Sequence, residues 1–247
     1  MEELTTDQIK QIVQDFYDGT LRAVKAGFDG VGIHGAHHYL LQQFVSEISN
    51  QRTDEYGGSL ENRLRFPIEV TQAVVQAVKD HGPEDFIIGY RISPEEIHGD
   101  KVGYTYKESL ELIKQIDQFE LDYIHLSVFG AYDSGPAGVE ESYGELFTDI
   151  LDDETKLIII GSVFSEEDAR GALAHGDLVA IARAALIDPD FSKKIEEGRG
   201  DEIYQEITPE RVLEAKWPRY LLKAFQTSSI GLMPLPNYES VEDMTIE

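Results

Sequence analysis

Three histidines and a tyrosine cluster in the segment 34–39, which reads His-Gly-Ala-His-His-Tyr. Imidazole N–H groups can donate hydrogen bonds to a carbonyl or phenolate oxygen, and a tyrosine hydroxyl can give up a proton. His34 and His37 therefore predict a site that binds and polarises a substrate oxygen, with Tyr39 as the proton donor. A histidine pair can also hold a metal ion. No HExxH helix and no carboxylate at ligand spacing accompanies this pair in the sequence, so we predict no metal site.

The element that must position this cluster is a short apolar run, Gly30–Ile33, which ends where the histidines begin. Five such β-branched runs follow a helix that starts at the capping residues Thr5 and Gln8 and ends before Gly27. The predicted strands are Gly30–Ile33, Phe86–Ile92, Tyr123–Ser127, Leu157–Gly161 and Leu178–Ile181. Helical patterns lie between and after them, at Asn62–Val78, Tyr106–Phe119, Glu145–Leu151, Ser165–Ala174 and Ile203–Ala215.

This alternation of strands and helices predicts an α/β fold with a parallel sheet, and catalytic groups lie at the carboxyl ends of such strands. A (β/α)8 barrel needs eight strands, and the sequence offers five. The pattern alone fits either an open five-stranded sheet or a barrel that lacks its first three β/α units. We predict one domain over 1–247, with a loose acidic tail over about 235–247.

Composition excludes several classes of function. The chain has 247 residues, no cysteine and a net charge of -26. Disulfides, thiolate nucleophiles and cysteine-ligated metals are therefore excluded, and so large a negative charge disfavours nucleic acid and anionic membranes as partners. No stretch approaches ~20 consecutive apolar residues, and the first residues lack a secretory pattern, so we expect a cytoplasmic protein.

The segment 26–66 carries a specific resemblance. It contains Gly-Phe-Asp-Gly-Val-Gly-Ile-His-Gly-Ala-His at 27–37 and, downstream, Tyr-Gly-Gly-Ser-Leu-Glu-Asn-Arg-Leu-Arg-Phe at 56–66. This run resembles the signature region of the old yellow enzyme family, the FMN-dependent NAD(P)H:flavin oxidoreductases and ene-reductases. The segments 89–94, 123–127, 160–162 and 179–191 are similar to the family in the same order, so the resemblance extends to about residue 200. It favours the TIM-type barrel without its first three units over the open sheet.

The resemblance assigns roles to individual residues. His34 and His37 match the pair that binds the substrate oxygen above the flavin, and Tyr39 matches the tyrosine that protonates the α-carbon of an alkene. Arg91 matches the arginine that faces the pyrimidine edge of the flavin, where a fixed cation stabilises negative charge on the reduced ring. The segment from Asn50 to Phe66 is expected to be an architectural loop and helix start.

FMN phosphate is expected at the loops after the last two strands, which commonly bind phosphate in TIM barrels. The residues at those positions are Gly161, Ser162, Ala182 and Arg183. Without the resemblance, a strand-capping glycine and a surface arginine would be the better interpretation of this set.

The expected activity is therefore reduction of activated alkenes, quinones or related small molecules by NADH or NADPH through FMN. The open strand edges predict either a homo-oligomer or a complementing N-terminal fragment. The alternative is an inactive, flavin-free remnant that acts only as an interaction or structural module. An aldolase or isomerase is a weaker alternative, because its only candidate lysine, Lys156, lies at the start of a strand.

Three residues depart from the family pattern. His38 stands where the family usually has glycine, Gly32 replaces a strand glutamate, and Ala182 replaces a glycine beside the phosphate arginine. We expect His38 either to strain the turn or to add a side chain to the pocket. His98 and His125 are given no role.

Overall fold

The computed structural model describes residues 3–227 and 235–245 and groups the chain into two compact units. The first unit comprises Met1–Gly161 with His175–Leu178, and the second comprises Ser162–Ala174 with Val179–Glu247. The single domain expected from the sequence stays a prediction.

The first unit alternates helices with strands, as the sequence predicts. Its helices are α1 (Thr6–Lys25), α2 (Leu40–Val45), α3 (Leu60–His81), α4 (Tyr106–Asp117) and α5 (Tyr143–Thr148). Its strands are β1 (Gly30–Gly35), β2 (Ile87–Ile92), β3 (Glu96–His98), β4 (Lys101–Tyr104), β5 (Tyr123–Leu126) and β6 (Lys156–Ile159). β7 (Leu178–Val179) begins at the last residue of this unit. The predicted capping box of Thr5 and Gln8 is present, and Gly27 follows α1 with a φ of 78°.

The main sheet orders its strands β1-β2-β5-β6-β7 within the described residues. β1, β2, β5 and β6 pair in parallel, which sends the chain through a helix between successive strands. Fully buried side chains from these strands, such as Ile33, Tyr90 and Ile124, form the core against the helices. All five predicted strands are present, although each differs from its predicted limits by one or two residues at one end or at both.

The hairpin of β3 and β4 was not predicted. These two strands pair antiparallel, with a bulge between Glu96 and Ile97, and Gly99 turns between them at a φ of 61°. Such short, polar strands carry no alternating apolar pattern that would reveal them in the sequence.

The segment from Asn50 to Phe66 is an architectural loop, as predicted. The Asn50 side-chain amide donates to the carbonyl oxygens of Phe44 and Tyr56, at 2.6 and 2.7 Å. Arg63, which is buried, donates to the Val45 carbonyl and forms ion pairs with Glu47 and Glu108. Ser59 caps α3 by accepting from the Asn62 N–H.

The second unit is mostly helical. Its α-helices are α6 (Glu166–Ala172), α7 (Arg183–Ile187), α8 (Phe191–Glu196), α9 (Pro209–Glu214) and α10 (Arg219–Gln226), with 3-10 turns at Gly200–Glu202 and Tyr238–Val241. Its apolar core includes Ile187, Ile207 and Trp217. The helix predicted over Ile203–Ala215 begins later than expected, because Thr208 caps it and Pro209 occupies its first turn. Proline fits the first turn of a helix, since it has no backbone N–H and none is needed there for an intrahelical hydrogen bond.

The acidic end of the chain contributes to the core of the second unit. Leu235 and Val241 are buried there, although we expected a loose tail over 235–247. The part of that prediction that concerns residues 246 and 247 lies outside the described residues. Across residues 3–227 and 235–245, no helix is both long and apolar enough to cross a membrane.

Candidate active site

A row of three polar side chains crosses the sheet at the carboxyl ends of neighbouring strands. His34 of β1 pairs in register with Arg91 of β2, and Arg91 pairs with His125 of β5. Residues opposite one another in a sheet project to the same face, so these three side chains share one surface. The predicted site residues His34 and Arg91 are therefore neighbours, and His125 joins them.

The neighbouring row of the sheet, two residues earlier in each strand, accounts for the glycine at position 32 of β1. Gly32, Gly89 and Tyr123 are register partners, and a Cβ at Gly89 would lie 2.0 Å from Cζ of Tyr123. A Cβ at Gly32 would lie 3.0 Å from the Tyr123 hydroxyl oxygen. The tyrosine ring therefore fills the space above Gly89, and its hydroxyl reaches the space above Gly32, where a glutamate side chain would meet it.

The loop after β1 brings the remaining predicted residues to the same place. The ring of His34 lies 5.2 Å from the rings of both His37 and Tyr39, between centroids. His37 and His38 both have a left-handed backbone, with φ values of 58° and 59°. The His37 N–H donates to Oγ of Ser93 at 3.2 Å, which ties the turn to the residue after β2. The predicted cluster of His34, His37 and Tyr39 thus forms in space, although 63% of Tyr39 is exposed.

Ser127 connects the loop to the row. Its buried hydroxyl lies 2.6 Å from Nε2 of His37 and accepts a hydrogen bond from the Arg91 guanidinium at 3.0 Å. Ser127 follows β5, so strand register fixes its position beside Arg91. One serine therefore sets the orientation of both a predicted substrate ligand and a predicted flavin ligand.

The electrostatics keep the imidazoles neutral near pH 7. Burial, followed by the nearby charge of Arg91, lowers the pKa of His34 and of His37 below the ordinary value of 6.5. The same causes lower the pKa of His125 to about 4. Burial also lowers the pKa of Arg91 itself, whose guanidinium stays charged because its ordinary pKa is so high. The site thus combines one fixed cation with three neutral imidazoles, each of which retains one N–H donor.

Two buried polar atoms of the row have no hydrogen-bond partner, namely Nε of Arg91 and Nε2 of His125. An unsatisfied buried polar atom costs about 1–3 kcal/mol, so such atoms in a cluster mark a place where a ligand can complete the bonding. Sequence reasoning missed His125 and Ser127. Both positions follow from the register of β5 against β2, which no local pattern in the sequence gives.

The residues predicted to bind phosphate are divided between the two units. Gly161, in the first unit, has a φ of 135°, and a Cβ there would lie 2.7 Å from the carbonyl oxygen of Gly130. Only glycine fits that approach. In the second unit, Ser162 has a φ of 51°, Ala182 precedes the short helix α7, and the Arg183 guanidinium lies 5.1 Å from the centre of the Phe164 ring.

Comparison with known proteins identifies the family. The profile of the NADH:flavin oxidoreductase / NADH oxidase family matches residues 1–202. A probable NADH-dependent flavin oxidoreductase of Bacillus subtilis (strain 168) is 39% identical over 203 residues, covering 81% of this chain and 54% of the relative. The chain therefore spans about half the length of that relative.

Solved structures show the same fold. Morphinone reductase in complex with tetrahydroNAD superimposes with a TM-score of 0.67 at 31% identity, over 85% of this chain and 54% of that one. An old yellow enzyme homologue from Zymomonas mobilis superimposes with a TM-score of 0.68 at 23% identity, over 88% of this chain and 61% of that one. The fold is therefore a TIM-type (β/α)8 barrel without its first three β/α units, and the resemblance drawn from the sequence is confirmed. The chain belongs to the NADH:flavin oxidoreductase / NADH oxidase family.

Proposed function

We propose that this chain forms the substrate-reducing half of an FMN-dependent oxidoreductase that takes electrons from NADH or NADPH. The observation that carries the proposal is the row of His34, Arg91 and His125, with His37 and Tyr39 above it. The acceptors we propose are activated alkenes, quinones and related small molecules that carry a polarisable oxygen. The family membership supports flavin and NADH, and the site chemistry supports the choice of acceptor.

The residues fit a flavin at this place. Arg91 offers a buried Nε donor that has no acceptor, and a pyrimidine carbonyl or ring nitrogen of FMN would accept from it. When bound, FMN supplies the hydride that reduces the acceptor. The guanidinium would also stabilise the negative charge of the reduced ring, and the bond from Arg91 to Ser127 holds it in position.

We assign substrate binding to His34 and His37. Their lowered pKa values keep both rings neutral, so each ring donates through an N–H group without carrying a charge. Two such donors on one oxygen withdraw electrons from a conjugated alkene and make its β-carbon a better hydride acceptor. Tyr39 lies next to His34 and is exposed, so it can reach the α-carbon and deliver a proton there.

For the FMN phosphate we propose Gly161, Ser162, Ala182 and Arg183. Gly161 belongs to the first unit and the other three residues to the second, so the structure supports each position separately. Gly161 lets the chain turn closely against the backbone of Gly130, and Arg183 supplies a planar cation at the start of α7. The methyl group of Ala182 replaces a hydrogen at this point in the family pattern, so we expect weaker phosphate binding than with glycine there.

The test is a titration of the purified chain with FMN, followed by flavin absorbance and NADH oxidation. We expect quenched flavin fluorescence, a shifted absorbance spectrum and a loss of binding in Arg91→Met. Ser127→Ala should weaken binding less, because it only releases Arg91 and His37 from a shared partner. Arg65→Met, which removes a partly exposed α3 arginine that donates to the Glu55 carbonyl and to Oδ1 of Asn62, serves as the matched control.

Failure to bind FMN, alone and together with the N-terminal half of a relative, would refute the proposal. Binding without NADH oxidation would instead support the alternative of an inactive module, and size-exclusion chromatography would then report whether the chain self-associates. Binding that requires the added half would support a complementing fragment as partner, and binding by a homo-oligomer alone would support self-assembly.

A further inference from the structure

A second polar cluster lies beside the active site and shares a pocket with His37, at the loop after β1. It consists of His38 from that loop and of Glu96 and His98 from the hairpin strand β3. One ligand atom from each residue lies within 4.8 Å of the other two. Among the described residues, this is the only group of three histidines or carboxylates that could hold a metal ion together.

The distances in this cluster are too long for hydrogen bonds and suit a shared ion. Nδ1 of His38 lies 3.6 Å from Oε2 of Glu96, and Nε2 of His98 lies 3.8 Å from Oε1 of Glu96. Both separations exceed the usual hydrogen-bond range. Ligand atoms about 2.0–2.1 Å from a tetrahedral zinc ion are about 3.4 Å apart, which is close to these values.

The carboxylate is held by other groups in a way that leaves it available. Glu96 is only 4% exposed, and its two oxygens accept hydrogen bonds from Nε2 of Gln42 at 3.0 Å and Oγ of Ser46 at 2.9 Å. An ionised carboxylate has about four acceptor sites, so two remain for a cation. Metal-binding carboxylates are oriented by such donors in general. Gly103 makes room for them, because a Cβ there would lie 2.5 Å from Oγ of Ser46.

The backbone of His38 is fixed by the same glutamine. Its N–H donates to Oε1 of Gln42 at 3.1 Å, while Gln42 donates to Glu96. The carbonyl of His38 accepts from the side chain of Gln43. The position has a φ of 59°, which glycine adopts freely and a histidine adopts at some cost. Gln42 thus links the backbone of His38 to the buried carboxylate of Glu96.

We infer that His38, Glu96 and His98 form a binding site for a divalent transition-metal ion of the zinc class. Two imidazoles and one carboxylate suit such an ion better than magnesium or calcium, which prefer oxygen ligands throughout. Both imidazoles are about half exposed, with 46% and 54% of their side chains open to solvent. Water therefore completes the coordination, and small rotations of the rings close the site.

The ion would join two separate parts of the chain near the reductive residues. It links the loop after β1 to the β3–β4 hairpin, and all three ligands line a pocket of about 290 Å³ that His37 also lines. Bound metal would restrain the hairpin and one wall of that pocket. The inference does not depend on flavin binding or on any reductase activity.

The test is a titration of the full chain, free of any histidine tag, with Co²⁺ and Zn²⁺ in the presence of excess Mg²⁺. Excess magnesium competes for single carboxylates, of which this chain has many because it contains 47 Asp and Glu residues. We expect one Co²⁺ per chain with visible ligand-field absorption, displaced by Zn²⁺. Zinc should also slow hydrogen exchange of the β3–β4 amides.

Variants decide whether the cluster is responsible. His98→Ala and His38→Gly should each weaken Co²⁺ binding by about tenfold or more, and Gln42→Ala by about 10–100-fold, as for other residues that orient metal ligands. His81→Ala removes an exposed histidine at the end of α3 and should change nothing. Far-UV circular dichroism of the metal-free variants checks that each one folds.

Two results would overturn the inference. One is the absence of a saturable ion at one per chain in the parent protein. The other is binding that His98→Ala and His38→Gly leave unchanged, which would place the ion elsewhere and leave the cluster as an ion pair only.

Discussion

Protonation of His125 should destabilise the first unit as the pH falls below about 6.5. Burial, and then the charge of Arg91, lowers the pKa of His125 in the folded chain from 6.5 to about 4. The unfolded chain therefore takes up a proton between these two values, while the folded chain does not. In this range the unfolded state binds more protons than the folded state. The free energy of unfolding is therefore highest above pH 6.5 and falls as the pH decreases toward 4.

The magnitude follows from the shift. One pKa unit corresponds to about 1.4 kcal/mol, so a fully buried group would lose about 2 kcal/mol between pH 6.5 and pH 5. His125 is only partly buried, and solvent screens its interaction with Arg91, so we expect about 1 kcal/mol over this range. The expected loss is large enough to measure against a total stability of about 5–15 kcal/mol.

Urea unfolding at pH 7.5 and pH 5.0 measures this loss when the parent chain is compared with His125→Gln. Far-UV circular dichroism is the appropriate signal, because the single Trp217 belongs to the second unit. The parent should lose about 1 kcal/mol more than His125→Gln on acidification. His81→Gln is the control for the loss of one histidine and should behave as the parent. Equal pH dependence in parent and His125→Gln would refute the assignment of a neutral imidazole beside Arg91.

Three further substitutions test other parts of the structure. Tyr39→Phe should slow alkene reduction at least about tenfold and spare quinone reduction, which needs no carbon protonation; equal losses in steady-state assays with both acceptors would refute the proton-donor role. Gly89→Ala should destabilise the chain by about 1–3 kcal/mol in urea unfolding, because the new methyl group meets the ring of Tyr123. The double variant with Tyr123→Ala should recover part of that loss, and no recovery would mean that the ring is not the cause. Arg63→Met should cost at least about 2 kcal/mol, since it leaves the Val45 carbonyl and Glu108 without their buried donor, and a near-neutral change in urea unfolding would contradict that role.

Local signals in the sequence predicted the elements of the fold well. The strand β1 and the capping box of Thr5 and Gln8 each depend on residues within a few positions of one another. Such short-range patterns encode the period of an element and the turn that ends it. The clustering of His34, His37 and Tyr39 could be predicted for the same reason, because a strand end and a tight turn bring them together.

Contacts that depend on strand register could not be predicted in this way. Ser127 meets Arg91 and His37 only because β5 pairs with β2 at one register, and a shift by one residue would move the whole row to the other face. The sequence contains the two strands but no local signal that aligns them. His125 was therefore left without a role, although it lies beside the arginine.

Two of the three departures from the family pattern, Gly32 and His38, contact residues that are distant in the sequence. Taken alone, Gly32 and His38 look like losses, a missing strand carboxylate and a strained turn. In the folded chain Gly32 faces the hydroxyl of Tyr123, and His38 faces Glu96. Each unusual residue therefore has a distant residue whose side chain occupies or uses the altered space. A single substitution back to the family residue should thus affect two places in the chain, which is the behaviour expected of coupled positions and not of a site that has decayed.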